Sequence, residues 1–163
     1  MNLLETWHAN GVISLRMPWD AQLEAEAGIN LKRQRKAGSY IAPLPAITLP
    51  HEQQTLEEIK KIIFPKGVNT DSEGNDCLIV FTTWKYAMQS NAVLITADGN
   101  SKTQPRGILG AAEDLRRELN VRVMSDDEAV ALVRRKVNER DRLNKSTAER
   151  FGIALPEWHG KDA

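Results

Sequence analysis

Residues 76–98 read DCLIVFTTWKYAMQSNAVLITAD, and the choice between helix and strand along them decides the fold. The first part, Asp76 to Met88, is apolar almost throughout and longer than most strands. Its length makes it a buried helix, although β-branched residues compete with that choice. After a polar break, Ala92 to Thr96 (AVLIT) is a short unbroken apolar run. Such a run suits a parallel strand covered on both faces. Asp98-Gly99 closes it as a turn.

Reading forward, Ile108, Ala112, Leu115 and Leu119 mark one face of a helix, and Val121, Val123 and Met124 a short strand. Ser125 and Glu128 have the spacing of a capping box for a helix with Ala129, Leu132, Val133 and Val137 on one side. Its other side (Arg134, Arg135, Lys136, Glu139, Arg140, Asp141) reads as a solvated face. Ser146 is expected to cap a last turn, and Trp158 to anchor the tail.

Reading backward, Gly67 to Asn75 (GVNTDSEGN) is a loop by composition, and Thr55 to Ile63 a short amphipathic helix with a capping-box start. Asn30 to Pro50 begins basic (LKRQRK) and ends with Pro43, Pro45 and Pro50 among apolar residues. It reads as an irregular surface loop, for packing more than for phosphate contact. Pro18 opens an Ala-, Leu- and Glu-rich helix ending at Gly28, Val12 to Met17 alternates like a strand, and Leu3, Leu4 and Trp7 fall on a helix stopped by Gly11. Strands alternating with helices predict an α/β fold, a parallel sheet flanked by helices. The expected division is one domain over residues 1–145 with a C-terminal turn and tail over 146–163.

The composition sets bounds. A chain of 163 residues favours one domain, and 41% hydrophobic with 27% charged residues is ordinary for a globular protein. Lys plus Arg and Asp plus Glu number 22 each, so no dominant basic surface is implied, though a local one is allowed. The single cysteine, Cys77, excludes an internal disulfide, and His8, His51 and His159 are too scattered for a metal motif. Neither a membrane span nor a basic-then-apolar leader is visible, so a cytoplasmic protein is expected.

Three carboxylates fall at informative places. Asp98 follows a buried strand, Asp76 begins the apolar helix before it, and Glu24 lies on the helix after VISLRM. Parallel sheets place ligands beyond the carboxyl ends of their strands, which singles out Asp98. Each acid alone is more simply structural or solvated. Lys102 and Arg106, just after Asp98, read first as solvated loop cations and second as phosphate contacts. Trp84 and Tyr86 read as core rather than base-stacking groups, and Cys77 as a small buried filler.

The order of the acids resembles that of the PIN-domain nuclease family. Pro18-Trp19-Asp20-Ala21-Gln22-Leu23-Glu24 resembles its early-helix segment, although Asp20 and Glu26 compete with Glu24 for the role. Asn75-Asp76 resembles its Asn-Asp helix start, and Leu94-Ile95-Thr96-Ala97-Asp98 its strand ending in Asp. The likeness spans roughly residues 1 to 140, and the pairing of Asp76 with Asp98 is its most specific part. It implies a three-layer α/β/α fold and a metal-dependent ribonuclease in which Glu24, Asp76 and Asp98 are catalytic and hold Mg²⁺ or Mn²⁺. Clustered carboxylates need such a hard, oxygen-seeking cation to offset their repulsion. RNA is the implied partner. The resemblance also allows a third expectation, the toxin half of a toxin–antitoxin pair with a protein antitoxin as partner, and homodimerisation is a further option.

The family's first strand and its terminal Asp have no counterpart, because Met1 already starts the first helix. An N-terminally shortened or mis-started chain is expected, with weak or absent cleavage. The rival expectation is a catalytically degenerate PIN-like module that binds RNA or a protein without cutting.

Overall fold

The structure, a computed structural model, describes residues 3–44, 46–99 and 107–162. Among them are eight helices and one sheet of two short parallel strands, so the expected three-layer α/β/α architecture is not formed. The chain divides into two units, residues 16–125 and residues 3–15 with 126–162.

The first unit is built mainly of helix against helix. Its helices are α2 (Trp19–Ala27), α3 (Leu31–Ala37), α4 (Pro50–Ile63), α5 (Asp71–Ala87), α6 (Gly107–Gly110) and α7 (Ala112–Leu119). Leu56, Ile59 and Ile63 repeat at helical spacing on α4, and Cys77, Val80 and Phe81 do so on α5. Packing these two stripes together forms the core, into which Leu94, Ile108, Leu115 and Val121 also fit. The strands β1 (Leu94–Ile95) and β2 (Val123–Met124) pair in parallel, Leu94 with Val123 and Ile95 with Met124. The predicted strand Val12 to Met17 contributes only a parallel bridge between Arg16 and Ile41. Pairs this short present no broad face for helices to cover, and helical stripes bury the apolar residues instead. That is the physical reason the sheet prediction fails.

Polar caps explain the other departures. Asn30 accepts the Lys32 and Arg33 N–H groups at 3.1 and 3.2 Å, so the basic run is a capped helix, not a loop. Thr70 and Glu73 form a reciprocal capping box that starts α5 at Asp71, within the expected 67–75 loop. Pro50 opens α4, where its missing N–H costs nothing. Thr55 therefore lies inside α4, with its hydroxyl on the His51 carbonyl at 3.1 Å. Glu52 supplies the cap, accepting the Thr48 and Leu49 N–H groups at 2.6 and 3.0 Å. Lys85 on α5 pairs with Glu52 at 2.7 Å and donates to the Ala46 carbonyl at 2.6 Å, which ties down the proline-rich segment.

In the second unit, α1 (Leu3–Ala9) and α8 (Asp126–Phe151) bury Leu4, Trp7, Ala129, Val137 and Ala148. Ser146 lies within α8 rather than capping a separate turn. The Trp7 indole N–H donates to the Asp162 carbonyl at 2.7 Å. Arg140 bonds Asp141 and Asp162, and its guanidinium lies 4.3 Å from the centre of the Trp158 ring. Among the described residues no helix is long and apolar enough to cross a membrane.

Candidate functional site

The three acids come from three elements of the first unit. Glu24 stands on α2, which packs against α5. Asp76 does not begin its helix, as expected, but lies past the first turn of α5, beside the buried Cys77. Asp98 follows β1. The Asn75 amide donates to Glu24 Oε1 at 3.0 Å and so joins α2 to α5.

Among the described residues, three hydrogen bonds fix Asp98. Its N–H donates to Thr96 Oγ1 at 3.1 Å, its carbonyl accepts the Leu109 N–H at 3.0 Å, and its Oδ2 accepts the Ile108 N–H at 2.7 Å. One carboxylate oxygen thus caps the start of α6.

These acids act on one another. Burial pushes the Asp76 carboxyl up to about 6, and the nearby charges of Asp98, Glu24 and Glu73 add to the rise. Glu73 is itself committed to the α5 cap. Burial also raises Asp20 above the usual carboxylate range, its own backbone hydrogen bond opposes the rise, and Glu24 one turn away adds to it. Asp20 Oδ2 is buried and has no hydrogen-bond partner among the described residues. The Cys77 thiol, fully buried, is pushed up to about 12 mainly by burial, which makes it an inert core group.

No protein-family model, curated protein or solved structure matches this chain. The chemical reading therefore rests on the side chains. Three carboxylates suit a hard cation in kind. Among the described residues, however, no three His, Cys, Asp or Glu side chains gather closely enough to hold a metal ion.

Beside Asn75 runs a groove of about 420 Å³ between α4 and the start of α5, lined by Leu56, Lys60, Val68, Thr70, Asp71 and Leu78 among others. Lys60 is paired with Glu57 at 2.7 Å on its rim. Trp84 packs near Phe81, ring centres 5.6 Å apart, and Tyr86 lies under the Arg16 guanidinium at 5.3 Å. Lys102 and Arg106 lie outside the described residues. Asn75 stands out in the sequence beside Asp76, but its bond to Glu24 does not, and the Ile108 amide leaves no signal.

Proposed function

We propose that the chain is a weak, cation-assisted ribonuclease hydrolysing RNA phosphodiester bonds, with Glu24, Asp76 and Asp98 as its acidic centre. What supports this reading is that the charges of Glu24 and Asp98, from two other elements, act on the half-buried Asp76 carboxyl and add to the rise that burial gives it. A carboxyl that titrates near neutral pH can hold or release a proton at the operating pH of a hydrolase. Bound Mg²⁺ or Mn²⁺ would supply stabilisation of charge on the phosphate. The chain's own residues orient the acids: Asn75 holds one Glu24 oxygen and the Ile108 amide one Asp98 oxygen.

The experiment is a melting curve with and without Mn²⁺, paired with a cleavage assay on single-stranded RNA. Mn²⁺ should raise the melting temperature, since a ligand that binds only the folded state stabilises it. The rise should shrink in Asp76→Asn and Asp98→Asn, and cleavage should be slow and lost in both. Equal shifts in all three proteins would place the ion elsewhere and end this reading. A second reading, a module that binds RNA or a protein without cutting, is favoured by the lack of a metal-ready trio among the described residues. RNA binding without cleavage at any Mn²⁺ concentration selects it.

A further inference from the structure

We propose that Gly107 is a positioning residue for Asp98, and that its lack of a side chain lets the first turn of α6 clasp the Asp98 carboxylate. The inference rests on the reading of Asp98 as part of the acidic centre, and it adds a residue that the acids themselves do not suggest.

The geometry leaves no room for any other residue. A Cβ at position 107 would stand 2.5 Å from Asp98 Oδ2 and 2.5 Å from the Gly99 nitrogen, and it would also run into the Gly99 Cα. Two of these three atoms are backbone and cannot swing aside as a flexible side chain could. The same close approach sets up the bonds to the Asp98 turn: Ile108 N–H to Oδ2 at 2.7 Å and Leu109 N–H to the Asp98 carbonyl at 3.0 Å. Gly99 has φ +88°, a conformation that L side chains rarely adopt, so the turn at this point is built on glycine. A methyl group at 107 must therefore push the turn and α6 apart. The carboxylate then loses its amide partner and with it the orientation relative to Asp76.

The test uses Gly107→Ala in the full chain, with two readouts: the Mn²⁺-induced rise in melting temperature and amide exchange at Ile108. The variant should exchange the Ile108 amide about tenfold faster, as for loss of one hydrogen bond to a charged group. Its Mn²⁺ response should fall to the level of Asp98→Asn. A variant that is less stable but keeps wild-type Ile108 protection and wild-type Mn²⁺ response would overturn the proposal, since Gly107 would then serve packing alone. If the wild-type protein shows no Mn²⁺ response, the acidic-centre reading fails while the Ile108 readout still decides whether Gly107 holds Asp98. Should Gly107→Ala not fold, Asp98→Ala decides: faster Ile108 exchange supports the clasp, and unchanged protection overturns it.

Discussion

Asp76 keeps its proton in a pH range where ordinary aspartates have lost theirs, and this has a signed effect on stability. Its folded value of about 6 lies above the ordinary 3.8, so the folded state binds the proton more tightly than the unfolded chain does. The stabilisation this gives is complete below 3.8 and is lost as pH rises through about 6. The span corresponds to about 3 kcal/mol if fully expressed, and solvent screening at this half-buried position leaves roughly 1–2 kcal/mol. Asp76→Asn should therefore be more stable than wild type at pH 7 by about that amount, and nearly equal to it at pH 3. Denaturant titrations at the two pH values check this. Glu52 behaves in the opposite sense. The hydrogen bond from Lys85, with those from Thr48 and Leu49, holds its carboxyl down to about 2. Its stabilisation is full above 4.5 and disappears as pH falls through about 2. Glu52→Gln should lower the melting temperature at pH 7, with the gap to wild type closing towards pH 2.

Helix α5 shows what a sequence discloses and what it withholds. Its run from Asp76 to Met88, apolar almost throughout, is too long for most strands, and the helix forms there as expected, burying Cys77, Val80 and Phe81. Its start at Asp71 is hidden in a Gly- and Asn-rich string, where only the Thr70–Glu73 spacing betrays the cap. Thr70→Ala should cost about 1 kcal/mol in a chemical melt. Phe81→Ala, which opens a cavity where that helix meets α4, should cost roughly 3–5 kcal/mol. Helix α3 goes unread because LKRQRK has no apolar period, and its Asn30 cap is the sole local signal. The strands fail for another reason. A short apolar run identifies a buried segment, but the number of residues that pair depends on neighbours far along the chain. The candidate site divides in the same way. Its acids stand out by residue type and order, whereas the amide that grips Asp98 belongs to a backbone whose path no side chain announces.

At the scale of the molecule, the charge state of the acids links ion binding to pH. Protons and Mn²⁺ compete for Asp76, so the Mn²⁺-induced rise in melting temperature should be small at pH 5 and grow as pH passes about 6. A response independent of pH between 5 and 8 would show that Asp76 is not among the groups that meet the ion. The division into units bears on a different matter, the timing of folding during synthesis. Residues 16–125 form one continuous unit, whereas α1 shares its unit with residues 126–162, made later. A ribosome adds roughly 5–20 residues per second, so the segment that α1 needs arrives on the order of ten seconds after α1 itself. Through that interval the α8 residues that share a unit with Leu4 and Trp7, both destined for burial, are still to be made. Apolar surface of α1 thus stays exposed while the chain between is made, the kind of transient surface that makes a folding chain prone to aggregate.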